Sequence, residues 1–223
     1  MSGCAVRAIR GERARYRPVR SGLCQGCDPV VVAMAMLRHC GGRLLYVADL
    51  DALTGGPPQS DIIAELLAAD LSLSIWLDAG FGKLDRWHSV REAIGPAAQR
   101  VTPIFASEAL AGPAEAREAL AWTPAILSLD RRRQALPDRA DCWANADIWP
   151  ATVIAMSLDR VGSCDGPDLD LVEDLHRRRP DLGYVGAGGI RDAADLAAAG
   201  RGPAAGWLVA SVLHDLRIPP VES

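Results

Sequence analysis

The side chains best suited to chemistry stand at the ends of short apolar runs. Seven such runs occur: Leu44–Ala48, Leu73–Leu77, Val101–Phe105, Ala125–Leu129, Thr152–Met156, Gly183–Val185 and Trp207–Ala210. Asp49, Asp78, Ser107, Asp130, Ser157 with Asp159, Gly186 and Ser211 follow them in turn. Two groups of these residues read as anion sites. Gly188-Gly189 offers backbone that an oxyanion can approach, because no Cβ intervenes. Ala210-Ser211 opens a short final helix whose free N–H groups and dipole favour negative charge. Together they form a candidate phosphate cradle; the structural alternative is a Gly-Gly turn without a ligand. Gly80 with Ala106-Ser107 stands in the same relation to the earlier runs and makes a second candidate. Asp78 and Glu108 flank it, and at about 4 Å a carboxylate repels each phosphate charge by roughly 1–4 kcal/mol in wet surroundings. Asp78 is therefore suited to accept hydrogen bonds from a hydroxyl or amine, or to reach a substrate through a metal.

What must position these groups is a repeated strand–helix unit. Each run is three to five residues long and apolar nearly throughout, as parallel strands covered on both faces require. Between them lie helices with readable ends. Asp28-Pro29 opens Val30–His39, and Gly41-Gly42 closes it. Ile62–Ala69 follows Asp61, Leu84–Ile94 stops at Gly95-Pro96, and Pro113–Leu120 follows Gly112. Leu169–Arg179 has basic residues in its last turn and Pro180 behind it. Asp192 caps Ala193–Ala199. The stretch Arg131–Pro150 reads as an irregular excursion with one short helix.

An internal repeat selects the architecture. Tyr46–Ala52 is similar to Ile154–Arg160, Asp78–Phe81 to Ala187–Ile190, and Phe105–Ser107 to Val209–Ser211, in the same order and at a nearly constant separation. A half of four strand–helix units present twice is an eight-fold (β/α)8 TIM barrel of two half-barrels, about 1–121 and 122–223, forming a single domain over 1–223. The first strand is apparently truncated: residues 1–10 supply only a short alternating strand. With Met1 as the start, the expectation is seven regular strands, a gap near Ala5–Ile9, and an exposed edge that invites a homodimer.

Composition sets the outer limits. The 223 residues carry 24 Lys+Arg and 28 Asp+Glu, a net charge of -4, so a general nucleic-acid footprint is not expected. No uncharged run approaches the roughly 18 residues of a membrane span. Six scattered Cys in a chain of this length imply mostly free thiols and a cytoplasmic, reducing setting. Cys24-Gln25-Gly26-Cys27 lacks further ligands at zinc spacing and reads as small residues in a loop, so no metal is expected. The four His fall on helices without a nucleophile or ligand partner, and no cofactor is implied.

The segments LLYVADLDALTGG (Leu44–Gly56), AILSLD (Ala125–Asp130), VGAGGIRDAADL (Val185–Leu196) and GWLVASVLHDL (Gly206–Leu216) resemble the histidine-biosynthesis isomerase/cyclase family (HisA/HisF). These are phosphate-binding barrels of two half-barrels, and the likeness runs from about Ala5 to Ile218. GERARYRP at Gly11–Pro18 and SLDRVGSCDGPD at Ser157–Asp168 are most similar to a divergent branch associated with one-carbon carrier (methanopterin or methanofuran) biosynthesis. In that light Met1-Ser2-Gly3 looks like the tail of the first strand's motif, with the true start some ten residues upstream (about one strand's length).

The resemblance implies roles. Asp130 aligns with the carboxylic acid that protonates the ring oxygen of an aminoaldose, and ring opening needs a general acid at such a strand end; the alternative is an Asp capping its turn or pairing with Arg131. The family's base, an Asp ending the first strand, has no counterpart here, so Asp49 and Asp159 are the first substitutes, each equally readable as a cap. Family members keep small neutral residues where Asp78 and Glu108 stand, which points to a smaller, monophosphorylated substrate. The Arg-rich segment Arg7–Arg20 matches the loop that folds over the substrate, making Arg13, Tyr16 and Arg17 candidate lid residues that grip phosphate or carboxylate; the alternative is an edge hairpin with its Arg face in water. The expectation is an enzyme performing acid–base isomerisation or related chemistry, including lyase chemistry, on a phosphorylated small molecule in cofactor biosynthesis. The alternatives are the histidine-pathway aminoaldose-to-aminoketose isomerase and a non-catalytic phosphate-ligand-binding subunit.

Overall fold

A computed structural model describes residues 3–163 and 165–221; the Met1-Ser2 start and the Cys164 thiol lie outside them. Val6–Arg7 (β1) and Arg17–Pro18 (β2) pair as a short antiparallel hairpin. The next seven strands run parallel and neighbour one another in chain order: Leu44–Ala48 (β3), Ser74–Asp78 (β4), Val101–Ala106 (β5), Ile126–Arg131 (β6), Thr152–Ser157 (β7), Gly183–Ala187 (β8) and Ala204–Leu208 (β9). The intervening helices are Pro29–Cys40 (α1), Leu50–Leu53 (α2), Ser60–Ala69 (α3), Leu84–Ile94 (α4), Pro113–Ala121 (α5), Leu169–Arg178 (α6), Ala193–Ala199 (α7) and Ser211–His214 (α8).

Alternation along the strands shows that the sheet is curled around a lumen. Tyr46, Trp76, Ile104, Ile126, Ile154 with Met156, Val185 with Ala187, and Leu208 come from all seven parallel strands and meet in one apolar cluster. The residues between them, such as Leu45, Ile75, Phe105, Leu127, Val153 and Tyr184, point outward into a second cluster built with α1 and α3 to α6. Strands apolar on both faces are the consequence, and the fold is an α/β barrel of the TIM type. Among the described residues nothing pairs with the outer edge of β3 or of β9, so the barrel is open between them. The Ala5–Ile9 segment supplies only β1, which turns back on β2.

Local chemistry fixes the ends of the elements. The Asp28 carboxylate accepts from Val31 N–H at 2.9 Å, Pro29 takes the first turn of α1, and Gly41 ends it at φ +63°. The last strand lies earlier than the apolar run Trp207–Ala210 predicts. Val209 and Ala210 have already left the sheet to enter α8, and Ala204 takes up the pairing with Tyr184. Between β6 and β7 the described residues hold one 3-10 turn, Ala146–Ile148, as expected of an irregular excursion. Two of the expected free thiols are joined, Cys4 to Cys27, tying the hairpin to the start of α1, while Cys24, Cys40 and Cys142 are free. Arg7 grips Asp215 through both carboxylate oxygens, at 2.7 and 2.6 Å, and so fastens β1 beside α8. Among the described residues no helix is long and apolar enough to cross a membrane.

Candidate functional site

A cavity of about 790 Å³ opens at the carboxyl ends of the strands, beside the gap. Asp49, Asp78 and Asp130 line it from the ends of β3, β4 and β6, and Arg13 and Tyr16 cover it from the hairpin. Strand C-termini are where barrels place reactive side chains.

Asp130 is a buried acid–base candidate. It is 7% exposed, and Ser128 Oγ donates to its Oδ1 at 2.5 Å. Burial pushes its carboxyl well above the usual carboxylate range; the Ser128 hydrogen bond opposes this, and the Asp78 and Glu108 charges reinforce it. Asp78 is also 7% exposed, and burial raises it from 3.8 to about 6, against hydrogen bonds from Gly80 N–H and Tyr46 and the charge of Arg13. Tyr46 Oη donates to Asp78 Oδ2 at 3.4 Å. Burial, with the Asp78 and Asp130 charges behind it, drives the Tyr46 phenol far up, so it stays a donor.

The predicted first-half cradle is occupied by the protein itself. Gly80 N–H donates to Asp78 Oδ1 at 3.2 Å, and Ser107 Oγ accepts the Asp130 N–H at 3.2 Å. In the second half Gly188 and Gly189 adopt φ +94° and +91°, where L side chains are strained. A Cβ on Gly189 would overlap the Gly166 carbonyl, and one on Gly188 would crowd the Ser157 carbonyl, so the loop after β7 lies directly on this turn. Gly166 N–H donates to the Gly189 carbonyl at 3.0 Å. Arg160 donates to the carbonyls of Gly166 and Pro167 at 3.0 and 2.6 Å, and Arg131 reaches buried Asp168 at 2.5 Å. Burial alone would raise the Asp168 carboxyl, but the Arg131 hydrogen bond and the Arg131 and Arg160 charges hold it below its ordinary value. Ala210 begins α8 without a side-chain cap, and Ser211 is its first residue.

The other candidates are placed as follows. Asp49 lines the cavity but accepts from Ala52 N–H, Gln59 N–H and the Gln59 amide at 3.2, 2.7 and 3.2 Å, the pattern of a structural cap. Asp159 holds Arg133 N–H at 2.7 Å and does not line the cavity. Arg13 pairs with Glu108 at 3.3 Å across the mouth. Tyr16 is half-buried and its phenol is raised by burial, with Arg13 and Arg132 lowering it. Arg17 is exposed and turns back to the carbonyls of Ala14 and Tyr16 at 3.4 and 2.8 Å, away from the cavity. Tyr46 and Arg132 are among the lining residues that escaped the sequence reading. Tyr46 was hidden inside an apolar run, and its strand position facing the lumen was its only signal. Arg132 lay within Arg131-Arg132-Arg133, where spacing does not say which guanidinium faces inward.

Fold and site together define a barrel of two half-barrels with a carboxylic acid pair at its mouth. A sequence model of the family described as "Histidine biosynthesis protein" matches residues 1–219, and the chain belongs to that family. It is 30% identical over 244 residues to the 1-(5-phosphoribosyl)-5-((5-phosphoribosylamino)methylideneamino) imidazole-4-carboxamide isomerase of Acidiphilium cryptum, covering 98% of this chain and 91% of the relative. The isomerase of the same name from Pelotomaculum thermopropionicum is 28% identical over 212 residues (88% and 76%). An uncharacterized protein of Methanocaldococcus jannaschii is 25% identical over 197 residues (86% and 80%).

Proposed function

We propose that this chain is an acid–base isomerase acting on a phosphorylated small molecule at the barrel mouth. The observation that carries the reading is the pair of buried carboxyl groups, Asp130 and Asp78, at the ends of β6 and β4 on either side of β5 and lining one cavity. Their environments separate their roles. Asp130, whose carboxyl burial pushes well above the usual carboxylate range, serves as the general acid, while Asp78, with a pKa of about 6, serves as the base. Asp49 and Asp159 are committed to backbone N–H groups and are left as caps. Arg13 and Tyr16 close over the bound substrate.

One phosphate is held by Gly188, Gly189, Ala210 and Ser211. The first half, whose Gly80 N–H is already bonded to Asp78, takes no second phosphate. This favours a monophosphorylated substrate, and with it cofactor biosynthesis over the histidine pathway named by the relatives. The relatives' names favour the second reading, the histidine-pathway isomerase itself. Assaying the histidine-pathway aminoaldose bisphosphate beside a panel of monophosphorylated aldoses separates the two. Under the first reading only a monophosphate turns over, and Asp130→Asn lowers kcat by about 10²–10⁴-fold. Undiminished turnover by Asp130→Asn overturns the acid assignment.

A further inference from the structure

Three arginines follow the candidate acid, and two are tied down: Arg131 by Asp168 at 2.5 Å, and Arg133 through its backbone N–H by Asp159 at 2.7 Å. Arg132 lies between them and lines the cavity. It is half-buried, its Nε is shut off from water without a hydrogen-bond partner, and among the described residues its guanidinium makes no hydrogen bond or ion pair. The carboxylates lining the cavity are engaged elsewhere: Glu108 with Arg13, Glu12 with Arg15, Asp130 with Ser128, Asp78 with Gly80 and Tyr46, and Asp49 with Ala52 and Gln59. The hairpin is built around this side chain. Gly11 crosses it at φ +66°, where a Cβ would overlap Arg132 Nη2.

A guanidinium held partly out of water with no internal acceptor is an unfavourable arrangement by itself. The cost is offset when an oxyanion supplies the acceptors, and the planar fork suits a carboxylate or phosphate taken through two parallel N–H bonds. We infer that Arg132 is a specificity-determining residue that binds an anionic group of the substrate, a carboxylate or a phosphate, beneath the turn at Gly11 and two residues from Asp130. The inference rests on the reading of this cavity as the reaction site. It adds that the substrate carries a second anionic group there: a carboxylate keeps the monophosphate reading, whereas a phosphate favours the bisphosphate of the second reading.

The test is nitrogen-15 NMR of the arginine Nε–H groups, with the Arg132 signal assigned by its loss in Arg132→Lys. Wild-type protein is titrated with inorganic phosphate in one arm and malonate in the other. The expected result is a saturable shift of the Arg132 signal with one probe, which names the class of anion. That probe's affinity should fall about ten-fold or more in Arg132→Gln, by the worth of a charged hydrogen bond, with the melting temperature of the anion-free protein unchanged. An Arg132 signal that moves with neither probe overturns the inference, as does equal affinity in Arg132→Gln. Should Arg132→Gln not fold, the wild-type titration alone decides. Asp130→Asn keeps the Arg132 shift, so a failed titration and a failed acid assignment are told apart.

Discussion

At the mouth of the first half-barrel, Asp78 ends β4 and its own carboxylate takes the N–H of Gly80. At the matching place in the second half, Ala187 ends β8, no carboxylate follows directly, and Gly188-Gly189 turns under residues 157–161 and 166–167. The serine after each last strand diverges too: Ser107 holds the Asp130 backbone, whereas Ser211 begins α8. A repeated backbone turn has thus been kept while its chemistry has split. One copy hydrogen-bonds an internal acid; the other carries no carboxylate and, under the proposed function, is where the substrate's phosphate is held.

The largest expected break in this comparison is at glycine. Gly189→Ala meets both a left-handed φ and the Gly166 carbonyl, and should lose about 3 kcal/mol of stability in urea unfolding. Gly80→Ala meets only the strain of φ +65°, its nearest neighbour being 3.5 Å away, and should lose about 1–2 kcal/mol. Equal losses would remove the structural asymmetry.

Next in size is a pH effect confined to the first mouth. Because folding raises Asp78 from 3.8 to about 6, the native state binds more protons than the unfolded state in that window. Stability from this group is therefore greatest below about pH 4 and declines until about pH 6, by up to about 3 kcal/mol. Asp130, raised by the same burial, slopes the same way. Asp78→Asn should flatten the pH 4–6 part of the curve, as followed by chemical denaturation at several pH values. A curve as steep as wild type removes Asp78 from the buried pair.

The second mouth has the opposite sign. Asp168 is held low by Arg131 and Arg160, so its contribution is present above about pH 4 and fades as pH falls through the depressed value. Both guanidinium groups reach water, at 44% and 36% exposure, so Asp168→Asn should cost only about 1–2 kcal/mol. Hydrogen exchange should quicken in residues 160–163 and 165–167 and leave residues 78–82 unchanged.

The contrast also explains what was legible in the sequence. The parallel strands were readable because burial on both faces leaves apolar runs, and the repeat was readable because the turns recur. β9 was displaced because Val209-Ala210 stays apolar after leaving the sheet. The bond from Asp78 to Gly80 was hidden because a carboxylate two residues before a glycine is an ordinary pattern; what makes it matter is burial, which only the fold supplies. Arg17 read like Arg13 because alternating arginines do not reveal which face of a two-residue strand meets the cavity. Cys4–Cys27 was hidden because six scattered cysteines allow too many pairings.

The smallest effect tests the serines. Ser107→Ala removes the acceptor of the buried Asp130 N–H and should cost about 1 kcal/mol. It should also loosen Asp130, altering the alkaline limb, the one a general acid sets, in the pH–rate profile of whichever monophosphate turns over. Among the described residues the Ser211 hydroxyl accepts no such bond, so Ser211→Ala should leave stability within about 0.5 kcal/mol of wild type. If the second turn holds phosphate, Ser211→Ala instead raises KM for that substrate while kcat holds. The two serines then report different things, one the placement of the acid and the other the grip on the anion. A Ser107→Ala protein with raised KM and an unchanged pH profile would show that both halves still bind phosphate alike.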